Sequence, residues 1–202
     1  MANTNTLAAF WPCLFIVIAL FYGFRLAISL SGIRRYDLES EIGHSLMAIG
    51  MALMLAPPAF QTPELIRWNI SLFTLASLWF AGRLLVHRPL LTILTRRTDG
   101  ERATLKADAI HLFTYIGMAY MFLEIASMAL SMTQTAIYLN CSFFVAFAFL
   151  LLAYGREISG ALQTNNIDWL KLGADLAHLC MNGVMSWMFI EMISMSMRMG
   201  AL

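Results

Sequence analysis

Glu41-Ile42-Gly43-His44-Ser45-Leu46-Met47-Ala48-Ile49-Gly50-Met51-Ala52-Leu53-Met54 is the stretch on which the reading of this chain turns, because its chemistry returns twice at one interval. His44, His111 and His178 are evenly spaced, 111 − 44 = 67 and 178 − 111 = 67. An acid stands three residues before each (Glu41, Asp108, Asp175). A Met stands seven residues after each (Met51, Met118, Met185) and another ten after (Met54, Met121, Met188). Packing alone gives no reason to repeat an acid, an imidazole and two thioethers in register, and an internal repeat of this kind sets the architecture.

A helix turns about 100° per residue, which places i+7 about 20°, i−3 about 60° and i+10 about 80° from the His. All four side chains therefore share one broad face. Glu124 and Glu191 extend that face thirteen residues beyond His111 and His178, where the first copy has Pro57. Met47 and Met181 also correspond, with Thr114 between them in the series. Met128, Met132, Met192, Met195, Met197 and Met199 add thioethers near the same end.

The rest of the chain is apolar. Of 202 residues 60% are hydrophobic and 12% charged, and the mean hydropathy is +0.71, the composition of a polytopic membrane protein. Six stretches approach the roughly 20 residues that a membrane-spanning helix needs. They fall near Leu7–Leu30, Glu41–Leu55, Glu64–Val86, Leu105–Leu130, Thr135–Tyr154 and Trp169–Met197, the second being short and ending at Pro57 and Pro58. No sheet is expected, because backbone in lipid must satisfy its own hydrogen bonds. A 67-residue period covers two spans, so each unit is a helical hairpin. The fold expected is an all-α integral membrane protein. It is a single transmembrane domain over 1–202, with repeats at about 1–62, 63–131 and 132–202 related by a pseudo-threefold axis along the membrane normal. The first helix of each unit carries a looser echo: Tyr22-Gly23-Phe24-Arg25, Phe80-Ala81-Gly82-Arg83 and Tyr154-Gly155-Arg156.

Basic residues alternate between loops. Arg25, Arg34 and Arg35 flank the first connection. Arg83, Arg88, Arg96, Arg97, Arg102 and Lys106 flank the third, and Arg156 and Lys171 the fifth. The connections at 56–63 and 131–134 have none. The positive-inside rule puts both termini outside, which in a bacterial inner membrane is the periplasm. Ala2–Thr6 lacks the basic region of a secretory signal, so the first span is expected to be retained. A net charge of +1 points away from nucleic acid, and Arg96–Arg97 reads as topology and lipid contact. Cys13, Cys141 and Cys180 are scattered within the spans and form no disulfide framework. Asp37 and Asp168 read as acids at helix starts, and His87 as an ordinary loop residue.

Thioethers and imidazoles together select a soft cation, Cu(I). Zinc prefers thiolate, imidazole or carboxylate, and calcium an all-oxygen site. The expected ligands are His44, His111, His178, Met51, Met118, Met185, Met54, Met121 and Met188, stacked as rings. Glu41, Asp108, Asp175, Glu124 and Glu191 would stand behind the ligands and orient them, or line the pore. An acid at i−3 could also accept an N–H from its own His. The competing view is a structural polar layer, since a single His or Met in a membrane helix more often serves packing.

Gly50-Met51-Ala52-Leu53-Met54, Gly117-Met118-Ala119-Tyr120-Met121 and His44-Ser45-Leu46-Met47 resemble the spans of a bacterial His/Met-rich membrane family of unknown function. That likeness brings no activity with it. The Met triads also resemble the filter of the Ctr-type copper transporters, homotrimers whose central helices each supply Met-x3-Met. This chain has Met-x2-Met in three hairpins of one polypeptide, which suggests analogy. The resemblance implies filter rings at Met51, Met118 and Met185 and at Met54, Met121 and Met188.

The functional expectation is a Cu(I)-binding membrane protein that passes copper along its axis to an acceptor protein. Its partners would be copper and membrane lipid, and it would not be an enzyme. No G-x4-G-K-[ST] nucleotide motif occurs. Static Cu(I) storage or delivery to a copper enzyme is the first alternative. A haem-binding electron carrier is the second, since paired His can ligate haem iron.

Overall fold

The computed structural model of the chain describes residues 3–34, 36–57, 60–86, 105–127, 133–163 and 167–200. Arg35, Pro58, the basic segment with His87, Arg88, Arg96, Arg97 and Arg102, and Met128 and Met132 lie outside them. No strand occurs among the described residues. Six helices do: α1 (Asn3–Leu30), α2 (Leu38–Met54), α3 (Pro63–Val86), α4 (Leu105–Ala126), α5 (Gln134–Leu162) and α6 (Trp169–Gly200). Five of them, all but α2, are long and apolar enough to cross a bilayer. Val17, Leu20 and Phe24 on α1, Leu75 and Leu78 on α3, and Phe149 and Leu152 on α5 are all exposed. Apolar side chains in such number on helix surfaces need lipid around them. The chain is a helical integral membrane protein.

The helix limits follow local chemistry. Asp37 caps α2, its Oδ1 accepting from the Glu39 N–H at 3.1 Å and its carbonyl from the Glu41 N–H at 3.0 Å. At the other end the Gln61 amide donates to the carbonyls of Met54 (2.7 Å) and Ala56 (3.0 Å), which have no partner further along the helix. α2 is thereby held to 17 residues, a length of about 26 Å. Thr133 caps α5 through Ala136, and Asp168 accepts from the Leu170 N–H before α6. α5 continues eight residues beyond the expected limit at Tyr154. No proline interrupts Gly155–Leu162, and Ser159 bonds back to the Gly155 carbonyl at 2.9 Å.

The helices pair as hairpins, α1 with α2, α3 with α4 and α5 with α6, and α2 also touches α4. Two compact units result, α1–α4 in one and α5–α6 in the other. Within the first unit, two glycines let α2 approach its neighbours. A Cβ on Gly50 would lie 2.7 Å from Phe73 Cε2 and 3.0 Å from Met118 Cε, and one on Gly43 would collide with the Tyr115 hydroxyl. Small residues at helix crossings are the usual means of close packing in membranes.

Aromatic pairs line the hairpin interiors. Phe73 stacks on Phe122 at 5.8 Å between α3 and α4, and Phe147 on Phe189 at 5.8 Å between α5 and α6. Phe122 and Phe189 each follow their His by eleven residues, 122 − 111 and 189 − 178.

Candidate functional site

Each of the three histidines lies against an aromatic ring from the other helix of its own hairpin. Tyr22 stacks on His44 at 4.7 Å, Phe80 on His111 at 4.8 Å and Tyr154 on His178 at 4.8 Å. These are the aromatic residues of the loose sequence echo. Their partnership with the histidines was not legible from spacing, because the connections between the helices differ in length.

In the first two hairpins the same helices also supply a cation. Arg25, three residues after Tyr22, pairs with Glu41 at 2.8 Å, both side chains being more than nine-tenths buried. Arg83, three residues after Phe80, pairs with Asp108 at 2.9 Å. The motif aromatic-x2-Arg on one helix therefore faces acid-x2-His on the next, ring on ring and charge on charge. Arg83 does more. It also holds Asp37 (2.6 Å) and Glu39 (3.0 Å), and Glu39 accepts from the Trp79 indole at 2.9 Å. A guanidinium can serve several carboxylates in this way because it presents five donors in a planar fork. Arg25 and Arg83, counted in the sequence as topology signals, are thus buried ion-pair partners, and Asp37 is both a cap and part of the cluster. Glu41 and Asp108 bond to arginines, whereas the sequence offered the N–H groups of their own histidines as donors to them.

The third hairpin keeps the ring and changes the charge. Three residues after Tyr154 stands Glu157, and Arg156 is exposed. Asp175 is nevertheless buried. Glu157→Arg is expected to restore the pattern and raise the unfolding midpoint of the protein in detergent. An unchanged midpoint would mean that the α5–α6 hairpin holds its acid by other contacts.

Two of the histidines meet. His111 Nε2 lies 2.8 Å from His44 Nε2, and the ring centroids are 4.6 Å apart. His111 Nδ1 lies 2.8 Å from the carbonyl of Ala107. A carbonyl only accepts, so Nδ1 carries the hydrogen and Nε2 presents its lone pair to His44. Ser40 Oγ approaches the same nitrogen at 3.1 Å. Ring stacking on one side and a backbone bond on the other hold His111 as ligand imidazoles are commonly held.

The methionines lie deep. Met51, Met118, Met185 and Met121 are wholly buried, Met54 nearly so, and Met188 is half-buried. Met47 and Met181 are also buried. Glu124 is buried and accepts from the Tyr120 hydroxyl one turn away, whereas Glu191 is exposed near the end of α6. The sequence correspondence of these two glutamates does not extend to their surroundings. His178 is half-buried, Cys13 and Cys141 are exposed, and Cys180 is intermediate. Among the described residues no group of three or more His, Cys, Asp or Glu is arranged to hold a metal ion.

Helices, hairpin pairing and buried polar layer define a polytopic membrane protein built around histidine–aromatic contacts. Residues 36–192 match the domain of unknown function DUF5134, and the chain belongs to that family. No curated protein and no solved structure matches the chain.

Proposed function

We propose that this protein binds Cu(I) in the membrane and conducts it through layers of Met and His side chains. In this reading six spans form three hairpin repeats around a pseudo-threefold axis. α2 is the short sixth span, and both termini lie on the periplasmic side of a bacterial inner membrane. The observation that carries the reading is the approach of His44 and His111, equivalent positions of the 67-residue repeat, to 2.8 Å between their Nε2 atoms. Two nitrogens bound at about 2.0 Å to one tetrahedral ion stand about 3.3 Å apart. An opening of half an ångström would turn the contact into a chelate.

Met51 and Met118, seven residues beyond these histidines and fully buried, supply the soft donors that favour Cu(I) over zinc. Met185 and His178 are their counterparts in the third hairpin, and Met54, Met121 and Met188 form the next layer. Because Glu41 and Asp108 are engaged by arginines, they act here as anchors for α2 and α4 rather than as steps on the ion path. Copper would pass to an acceptor protein on the cytoplasmic side, with no chemical transformation.

Complete burial of Met51, Met118 and Met185 also favours static holding of the ion, for storage or delivery. Haem is supported less well. A porphyrin held between two imidazoles would need them well apart, and here the rings are already in contact and stacked on Tyr22 and Phe80.

An anaerobic Cu(I) titration of the purified protein against a chromogenic chelator tests the proposal. Wild type is expected to withdraw copper, and Met51→Leu/Met118→Leu/Met185→Leu and His44→Gln/His111→Gln to do so weakly or not at all. If wild type does not compete, copper binding is wrong. Copper flux into liposomes then separates conduction from storage.

A further inference from the structure

We propose that the Ser40 hydroxyl is a third ligating group at the His44–His111 pair, one that leaves this site weaker for copper than a soft third donor would. The proposal rests on the copper reading above. Ser40 and His44 are four residues apart on α2 and therefore share a face. Ser40 Oγ lies 3.1 Å and His44 Nε2 2.8 Å from one atom, His111 Nε2. That atom has a single in-plane lone pair, because the Ala107 carbonyl holds the ring hydrogen on Nδ1. Two potential donors thus converge on one acceptor.

A cation at the point of convergence resolves the mismatch. Ser40 Oγ, His44 Nε2 and His111 Nε2 can each turn a lone pair toward it. His44 needs only to carry its hydrogen on Nδ1 instead of Nε2, with no net proton released.

The position also bears on access. His44 and His111 are 5% and 8% exposed, whereas Ser40 is half-buried and is the less enclosed of the three residues. Four residues before His111 and His178 the chain has Ala107 and Ala174, which leaves the hydroxyl to the first hairpin alone. A hydroxyl is a hard, weak donor to Cu(I). The ion is therefore held chiefly by the two imidazoles, and the serine adds less than a soft third ligand would.

Ser40→Cys tests this, because it places a soft sulfur where the oxygen stands with little change of shape. The full-length variant is titrated with Cu(I) against the chelator beside wild type, Ser40→Ala and Ser40→Cys/His111→Gln. Ser40→Ala serves as a folding control through its unfolding midpoint. The expected result is about 10- to 100-fold tighter binding in Ser40→Cys, the scale on which single groups around a metal change affinity. The gain should disappear in Ser40→Cys/His111→Gln. If wild type binds copper and Ser40→Cys binds it no more tightly, or the gain survives loss of His111, Ser40 is not a ligand and the proposal falls while the copper reading stands. If wild type does not bind copper, both fall.

Discussion

Replacing Arg83 by Leu is expected to destabilise the protein by about 3–5 kcal/mol, the cost of removing one member of a buried charge cluster. Arg83 is 1% exposed and is bonded to Asp37, Glu39 and Asp108. Asp37 is partly open and can rehydrate, with 27% of its side chain exposed. Glu39 and Asp108 are almost fully enclosed and would face each other with no cation between them. Arg83→Lys should recover part of the loss, since an ammonium can neutralise charge but cannot fork between Asp37 and Glu39. Glu39→Gln/Asp108→Asn in the Arg83→Leu background should recover more. Unfolding midpoints in mixed micelles measure all three. A wild-type midpoint for Arg83→Leu would show that the cluster is hydrated and that the arginine does not hold α2, α3 and α4 together.

The second large effect is expected at the crossing of α2 with α4. Gly43→Ala should cost about 1–3 kcal/mol, typical of overpacking a close contact, because the new methyl group would collide with the Tyr115 hydroxyl. Tyr115 is completely buried, stacked with Phe73 at 6.1 Å and Phe80 at 5.2 Å, and cannot swing aside without disturbing both rings. Among the described residues its hydroxyl has no hydrogen-bond partner. Tyr115→Phe should therefore be neutral or stabilising by itself, and Gly43→Ala/Tyr115→Phe should regain most of the loss. This is a double-mutant cycle with a coupling of about 1 kcal/mol or more. Additive effects would mean that Gly43 is required by contacts other than the hydroxyl, such as Tyr115 Cζ, which would be 3.2 Å from the new carbon.

Much of the fold was legible because apolar length and helix limits are local properties. Asp37 and Asp168, read as acids at helix starts, accept from backbone N–H groups there, and the apolar runs match the helices to within a few residues at most ends. The acid–His–Met repeat marked α2, α4 and α6 as the helices that carry the polar groups. The candidate site was legible only by halves. His44 and His111 were named as partners from their spacing. Ser40 has alanine at the matching positions of the other two copies, and Tyr22 and Phe80 stand at unequal distances along the chain from their histidines, so none of the three stood out. Arg25 and Arg83 were visible as charges, but a charge near a span end serves topology and ion pairing alike, and sequence does not distinguish the two. The aromatic-x2-Arg pattern would have been the signal, had it been read as one motif across helices.

The sequence by itself determined that this is a helical membrane protein and which face of three helices carries imidazole, thioether and carboxylate. Periodicity, length and hydropathy are fixed along the chain and need no knowledge of neighbours. Tertiary structure alone decided which groups meet: that Glu41 and Asp108 bond to arginines, that an aromatic ring covers each histidine, and that His44 and His111 touch with Ser40 at their edge. Those contacts join different helices. Their distances depend on how closely Gly43 and Gly50 let α2 approach α3 and α4, a quantity set by packing in three dimensions and not by spacing in one.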